Sequence, residues 1–567
     1  MKIVERRYAE ADRHALLEAG LHPLLARLYA ARRIRSAAEL DYGPGRLYPP
    51  DAMKGLPEAA TLLADAIAAK RRLLIVADYD ADGATACAVG IRALRAFGAD
   101  VNYLVPDRFK LGYGLSPELV DLAARTDPRG QPDLLVTVDN GIASLEGVAR
   151  AKALGIATLI TDHHLPGAQL PDAACIVNPN QPGCAFPSKA LAGVGVMFYV
   201  MLALRTELRN RKWFAERKEP NLGALTDLVA LGTVADVVPL DANNRNLVAQ
   251  GLHRLRSGRG HAGLNALLRA AGRNPAEASS FDLGFVAGPR LNAAGRLADM
   301  SVGIECLVTD DEARAANIAQ ELDALNRERR KIEGGMLEQA LALVGAVEGS
   351  VFYHPQWHQG VVGIVASRLK DRLHRPVICF APAEERGARA LRGSGRSIPA
   401  LHLRDCLDLV SKRAPGLIRR FGGHSQAAGL TLAEADLDAF TSAFEHALEE
   451  MLPAAARQRT IETDGALAAS EVTLENARML EAQIWGQGFP QPLFCDTFAV
   501  EAQRVVGERH LKLQLRKDGR RFEAMCFNAL ERSKEKPLGA QVRAAYRLAV
   551  NEFNGLRQVQ INVEHFE

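Results

Sequence analysis

Three short apolar runs in this chain each end on acidic or imidazole side chains: LLIVA leads into Asp78, Asp80 and Asp82, LLVTV into Asp139, and TLIT into Asp162, His163 and His164. Between them lie segments of helical period such as GATACAVGIRALRAFG and SPELVDLAAR, and ASLEGVARAKALG precedes the last run. Strands alternating with helices of this length predict a parallel sheet covered on both faces. In such a sheet ligands bind beyond the carboxyl ends of the strands, so the charged residues are expected to converge in one crevice. A fourth segment, LGTVADVVPL, adds Asp236, less clearly at a strand end.

Carboxylates packed this closely raise one another's pKa and repel, which is tolerable only around a cation. Oxygen donors with one or two imidazoles and no thiolate suit Mn²⁺ or Mg²⁺ better than a structural zinc site. Five or so ligands exceed what one open site needs, so two divalent ions sharing a bridging carboxylate are expected. A lone Asp after a strand is most often a helix N-cap, and for Asp82 before Gly83 a cap or turn would suffice. DYDADG, VDNG and TDHH together make coincidental capping the weaker reading.

A length of 567 residues predicts several domains. No charge-free run of about 20 apolar residues occurs to span a bilayer. The amino end, MKIVERRYAEADRH, has no secretory pattern, so a cytoplasmic location is expected. No two of the eight cysteines lie closer than nine positions, so neither a zinc knuckle nor a redox pair is written, and reduced, packing cysteines are expected. A formal net charge of +3 names no partner. Residues 1–50 read as a helical extension and prelude to the main α/β domain at 51–309, which turns mainly helical from Lys189 to about Ala270. A connecting long helix is expected at 310–345, a smaller α/β domain at 346–454, and a small β-barrel or sandwich at 455–567.

In order along the chain, DYDADG at 78–83, VDNG at 138–141, TDHH at 161–164 and VAD at 234–236 resemble the motifs of the DHH phosphoesterases. GPRLNAAGRL at 288–297, WHQGVVGIVASRL at 357–369, GSGRS at 393–397 and FGGHSQAAG at 421–429 are similar to the branch of bacterial exonucleases acting on single-stranded DNA from the 5′ end, over nearly the whole chain. The resemblance implies an α/β fold: a parallel-sheet DHH domain, a DHHA1-like substrate-binding domain joined to it by the long helix, and a C-terminal OB-fold-like barrel that binds single strands. It implies Asp78, Asp80, Asp82, Asp139, His163 and Asp236 as ligands of two divalent ions, Mn²⁺ or Mg²⁺. Asp139 and His164 would be catalytic, with His164 facing the scissile phosphate. Degradation of single-stranded DNA to mononucleotides in repair and recombination follows, by a monomer off the membrane, with a single-strand-binding protein and a helicase as candidate companions.

Such an enzyme needs donors for the phosphates flanking the cut. Arg108 and Tyr113 in PDRFKLGYG follow the strand VNYLV on the same sheet edge as the aspartates, although a surface arginine and a packing tyrosine would read the same way. In GPRLNAAGRL small residues would let backbone approach a ligand, with Arg290, Asn292 and Arg296 as substrate contacts; a structural turn is the plainer alternative. From Arg368 to His424 thirteen Lys or Arg stand against five acids. There the glycine-rich turns GSGRS and GGHS would cradle a terminal phosphate with Ser394, Arg396, Gly422, Gly423 and His424, rather than form a merely solvated basic face. The tail from Arg504 to Arg543 holds eleven basic and five acidic residues, and Phe522, Phe527 and Tyr546 are candidates to stack on bases or to fill a core. A phosphodiesterase for short oligonucleotides or cyclic dinucleotides would not need the tail, and a non-catalytic strand-binding scaffold would not need every motif carboxylate.

Overall fold

The structure, a computed structural model, describes all residues except 345–348, 386–387, 454–455, 457, 508 and 530–537. The expected domain limits at 345/346 and 454/455, and Arg386 of the basic stretch, lie outside the described residues. The chain divides into two compact units, one of Val4–Gly295, Asp299–Asp323 and Glu462–Glu567, the other of Met1–Ile3, Arg296–Ala298 and Ala324–Ile461.

The first strand, β1 (Lys2–Glu5), pairs with Thr460–Thr463. The first unit's main sheet then contains β2 (Arg72–Ala77), β3 (Asp100–Leu104), β4 (Leu134–Val138), β5 (Ala157–Thr161) and β6 (Cys175–Val177). Its order is β3-β2-β4-β5-β6, and every pair is parallel. The period-2 rule divides the strands cleanly. Leu74, Val76, Leu135 and Ile160 pack on one face against helices Pro117–Thr126 and Leu145–Ala153, while Ile75 on the other meets Gly90 and Met197 of helices Ala81–Phe97 and Gly193–Asn210. The sequence had not marked β6, whose three residues are too few to display a period. LGTVA, read as an apolar run of uncertain type, is the end of a buried helix, Thr226–Ala235. A helix that is buried on all sides carries no periodic signal to separate it from a strand.

The second unit's sheet is mixed. It contains β7 (Val351–Tyr353), β8 (Val377–Glu385), β9 (Ala388–Arg396), β10 (Arg420–Gly423) and β11 (Ala427–Ala433), ordered β10-β11-β9-β8-β7 with only β7–β8 parallel. Helix Val362–Leu373 covers one face, and helices Leu403–Arg413 and Leu437–Met451 the other. GSGRS therefore belongs to strand β9 and is not a turn. Gly393 and Gly395 are small because a Cβ there would come within 2.4 Å of the Phe380 ring and 2.8 Å of Leu403. GPRLNAAGRL is likewise helix, Gly288–Leu297. The long polar segment is the helix Glu312–Val344.

After β12 (Thr460–Thr463), the tail forms a closed barrel of β13 (Phe494–Val506), β14 (His510–Lys517), β15 (Arg520–Cys526), β16 (Gln541–Phe553) and β17 (Leu556–Phe566), joined in the order β13-β14-β15-β17-β16. Tyr546 belongs to its core and donates its hydroxyl hydrogen bond to Asp496 at 2.7 Å. Phe522 packs against that core, whereas Phe527 is exposed beside His510. The amino-terminal segment also belongs here, and is not simply a prelude to the α/β domain. Leu24 and Leu28 of helix Pro23–Ala30 join the barrel core, and Arg32 donates to both carboxylate oxygens of Asp464, at 2.9 and 3.0 Å, with both side chains 1% exposed. Asp464→Ala leaves that guanidinium buried and unpaired, which costs about 3–5 kcal/mol. Its thermal midpoint is therefore expected to fall well below the parent's in circular dichroism melts; an unchanged midpoint would show that the pair does not hold the extension to the barrel.

Candidate active site

In the parallel register Ala77 lies opposite Val138, and Val138 opposite Thr161, so Asp78, Asp139 and Asp162 leave their strands at one level. The ladder continues through them: the Asp78, Asp139 and Asp162 amides donate to the Val138, Thr161 and Val177 carbonyls. Asp139 has φ of 62°, a left-handed conformation that a non-glycine residue adopts only under constraint.

Asp80 is the N-cap of helix Ala81–Phe97, accepting from the amides of Asp82 and Gly83. Asp82, which a cap or turn would have explained equally well from sequence, does something else. Its carboxylate is buried and accepts from the amides of Gly193 at 2.6 Å and Val194 at 2.8 Å, at the start of helix Gly193–Asn210. A Cβ on Gly193 would sit 2.6 Å from Asp139 Oδ1, so only glycine admits both carboxylates at that helix end. Neither Gly193 nor Val194 was singled out from sequence; the small-residue run AGVGV before a long apolar helix was the available signal. Asp236 arrives from the C-cap of helix Thr226–Ala235.

These residues converge. His163 Nε2 lies 3.1 Å from Asp139 Oδ1, 3.5 Å from Asp236 Oδ2 and 3.9 Å from Asp82 Oδ2. One ligand atom from each of Asp78, Asp80 and Asp139 lies within 4.8 Å of the others, as does one from each of Asp82, His163 and Asp236; Asp139, His163 and His164 form a third such group. Asp78, Asp139 and Asp236 are pushed well above the usual carboxylate range, first by burial and then by neighbouring aspartates, and Asp82 is raised to about 7 for the same reasons. Asp78 Oδ1 is buried and accepts no hydrogen bond among the described residues. Oxygen donors plus one imidazole, buried and mutually repelling, are a donor set that fits hard divalent cations.

Asp162 is different. Burial works against its charge, but the hydrogen bond and charge of His164, with the Ile142 amide, hold it below the ordinary range. Its Oδ1 also accepts from the amides of His163 and His164 and lies 2.8 Å from His164 Nδ1. Burial opposes charging of His164, yet Asp162 brings its pKa up to about 9. Asp162 is thus the residue that orients and charges His164, a role not assigned to it from sequence.

Tyr113 lies where expected. Its ring is half-exposed, while its hydroxyl donates to the Asp139 carbonyl at 3.3 Å and lies 3.1 Å from the His164 ring nitrogen. The Arg108 guanidinium lies 4.5 Å over the Tyr79 ring, beside the acidic loop. Two expected phosphate contacts turn inward. Arg290 is buried and bonded to the Val286 carbonyl and to Asp323 at 2.7 Å, and Asn292 accepts from the Ala81 amide at 2.9 Å, bracing the start of the helix that carries Asp82. Helix Gly288–Leu297 approaches backbone, not ligand: a Cβ on Gly295 would sit 1.9 Å from the Tyr79 carbonyl oxygen.

In the second unit, Arg296 donates to the Gly360 carbonyl at 3.1 Å. Arg396 donates to Ser394 Oγ at 3.0 Å and to the Gly395 carbonyl, and a Cβ on Gly363, in the first turn of helix Val362–Leu373, would come within 3.0 Å of its Nη2. Strand pairing sets Gly395 opposite Ala428 and Ala428 opposite Gly423, with the His424 amide donating to Ala427. Ser394, Arg396, Gly422, Gly423 and His424 thus share one end of the sheet.

This donor set, at the carboxyl ends of a parallel sheet, defines a divalent-metal phosphoesterase centre. Residues 72–233 match the model of the DHH family, N-terminal domain, residues 342–450 that of the DHHA1 domain, and residues 463–565 that of the RecJ OB domain. The chain is 50% identical to the single-stranded-DNA-specific exonuclease RecJ of Salmonella typhimurium, over 98% of each chain, and 49% identical to that of Escherichia coli, over 99% of each. The crystal structure of Thermus thermophilus RecJ in complex with Mn²⁺ superposes with a TM-score of 0.82 at 30% identity, covering 100% of this chain and 79% of that one. Its complex with Mg²⁺ gives 0.76 at 29%, covering 100% and 78%. The chain belongs to the RecJ family of single-stranded-DNA-specific exonucleases.

The raised carboxyl pKa values carry a pH signature. A carboxyl group held above its unfolded pKa stabilises the metal-free fold when protonated, and this contribution is lost as pH rises through the folded value, about 7 for Asp82. A cation needs the deprotonated form, so Mn²⁺ is expected to raise the melting midpoint more at pH 8 than at pH 6. In Asp139→Asn the shift at pH 8 should shrink towards that at pH 6. Equal Mn²⁺-induced shifts at both pH values would contradict the assignment.

Proposed function

We propose that this exonuclease hydrolyses single-stranded DNA from its 5′ end, releasing mononucleotides at the centre built on Asp78, Asp80, Asp82, Asp139, His163 and Asp236. The observation that carries the reading is the position of Asp139, within ligand distance both of Asp78 and Asp80 and of the two histidines. Asp78 and Asp80 would hold one divalent cation, Mn²⁺ or Mg²⁺, and Asp82, His163 and Asp236 a second, with Asp139 between them. When bound, the two cations supply charge neutralisation for the phosphodiester and a water that deprotonates near neutral pH.

The chain's own residues do the rest. The Gly193 and Val194 amides fix Asp82, and the left-handed backbone at Asp139 turns its carboxylate toward both groups. His164, charged through Asp162 and neighboured by the Tyr113 hydroxyl, is assigned to the scissile phosphate, where a cationic donor stabilises charge growing on the phosphoryl and leaving oxygens. Arg108 is assigned to a neighbouring phosphate. Arg296 is assigned to the strand as well, and Arg396 with Ser394, Gly422, Gly423 and His424 to the terminal phosphate, which gives the 5′ polarity.

The domain limits 51–309, 346–454 and 455–567 are proposed as the catalytic, end-binding and strand-binding modules. The same reading extends to a cytoplasmic monomer that works beside a helicase and a single-strand-binding protein in repair and recombination, since a free single-stranded end is the substrate it needs. Among the described residues no helix is long and apolar enough to cross a membrane.

Asp139→Ala is expected to reduce release of nucleotides from end-labelled single-stranded DNA to below a few per cent of the parent while the fold is kept, because the residue lies at a strand end. Appreciable residual activity in Mn²⁺ would sink the shared-carboxylate assignment. Arg396→Ala tests the terminal cradle. A charge-assisted contact contributes roughly 1.5–3 kcal/mol, so first-cleavage rates should fall about tenfold to a hundredfold more on 5′-phosphorylated than on 5′-hydroxyl DNA. Equal losses on the two ends would reject Arg396 as the anchor.

A further inference from the structure

Phe281 and Phe285 are 52% and 65% exposed, and their rings stack on each other with centroids 5.0 Å apart and planes 19° from parallel. Phe281 is the N-cap of the π-helical turn Asp282–Ala287, a rare backbone form that recurs at functional sites, and Phe285 lies within it. Glycines press this turn against the end of the helix that delivers Asp236. A Cβ on Gly284 would meet Val234 Cγ1 at 2.9 Å, and one on Gly288 would meet the Ala235 Cβ at 3.0 Å. Val237, next to the ligand Asp236, is itself 61% exposed and has φ of 62°, which a β-branched residue adopts only under constraint.

On its other side the same segment is fixed to the barrel and the residues leading into it. Ser280 donates to the Trp485 carbonyl at 2.7 Å, and Glu277 pairs with Arg557 of β17 at 2.9 Å. Asp282 caps the turn by accepting from the amide and hydroxyl of Ser279. The aromatic pair is therefore held between the metal centre and the barrel of the same compact unit, with both rings more than half exposed. A core requirement does not account for it, since neither ring is buried, and the fused position leaves the rings little freedom to lose on binding.

We infer that Phe281 and Phe285 form a stacking step for nucleobases of single-stranded DNA on the path between the barrel and the metal centre. Aromatic faces suit any base, which a non-sequence-specific exonuclease requires, and stacking needs an unpaired base, which a duplex does not offer. This rests on the reading of the chain as a single-strand exonuclease, because it takes its occupant from that substrate.

The test uses the full chain and oligodeoxythymidylates in which one position at a time lacks its base. Binding is measured in metal-free buffer, and degradation is followed separately in Mn²⁺. For the parent, removal of the base at one or two adjacent positions should weaken binding about tenfold. Phe285→Ala should weaken the intact strand by a similar factor and abolish the extra loss at those positions, and Phe285→Leu, which keeps apolar bulk without a π face, should behave like Phe285→Ala. Phe285→Tyr should retain the parent's profile, and Phe281→Ala should reproduce the loss in part. Unchanged affinity in Phe285→Ala, or the same position-dependent loss in parent and variant, would overturn the inference. So would loss of a concentration-dependent self-association in place of strand binding, which would mark the rings as a contact between copies of the chain. Absence of any strand degradation by the parent would instead reject the exonuclease reading itself.

Discussion

Repulsion among buried carboxylates is the interaction around which the first unit is arranged. Two unit charges about 4 Å apart interact with about 4 kcal/mol at an effective dielectric constant near 20, and here four aspartates are held above their usual range in one crevice. The fold answers this unevenly. Asp82 receives two amides from a helix N-terminus, and Asp162 receives three amides and an imidazolium. Asp78 keeps a buried oxygen that accepts nothing among the described residues. The carboxylate that is already neutralised orients His164, and those that are not form the groups that could hold a cation; one strand-end motif, TDHH, contributes to both.

Close backbone approach keeps that arrangement in place. A Cβ would sit 2.5 Å from the Asp78 carbonyl if placed on Gly83, 2.1 Å from Thr85 Oγ1 if placed on Gly232, and 1.9 Å from the Tyr79 carbonyl if placed on Gly295. Gly83 closes the DYDADG segment on itself, and two other helices press on it or on the turn after it through Gly295 and Gly232. With Asn292 holding the Ala81 amide and Gly193 and Val194 holding Asp82, the carboxylate positions do not depend on the cations alone for their geometry.

The strands β2, β4 and β5 and the acids that follow them were legible because a strand buried on both faces reads as an uninterrupted apolar run, and its end is then obvious. Asp236 was legible as a member of the acidic group but not as the C-cap of a helix, since LGTVA fits either element. Local sequence did not reveal partners that side chains find within the fold: Arg290 and Asn292 sit in the sequence like phosphate contacts, and in the structure a buried partner, Asp323, and a helix-start amide, Ala81, engage them. GSGRS reads locally as a turn, and only the Phe380 and Leu403 side chains packed across the sheet explain glycines inside a strand. Long-range pairing also hid the union of residues 1–50 with the barrel, because the complement of Leu24, Leu28 and Arg32 lies more than four hundred positions away. The roles of Asp162, Gly193 and Val194 depend in the same way on what another segment brings opposite them.

That long-range union changes how the barrel bears on the metal centre. Directly after Asp236 the chain passes Pro239 and Leu240, and the Leu240 amide donates to the Gln487 carbonyl at 2.7 Å. Arg245, farther along, holds its guanidinium 4.5 Å over the Phe489 ring, while Tyr29 of the amino-terminal helix lies against Trp485 and Phe489. Residues 485–489, which lead into β13, are thus anchored to the segment that carries Asp236. On the proposed function, a strand gripped by the barrel would act on a body already joined to Asp236, so the barrel is a part of the site's framework whatever it binds. Binding energy collected there can be expressed as positioning of the phosphodiester at the carboxylates, the form in which it lowers a barrier and does not merely hold the substrate.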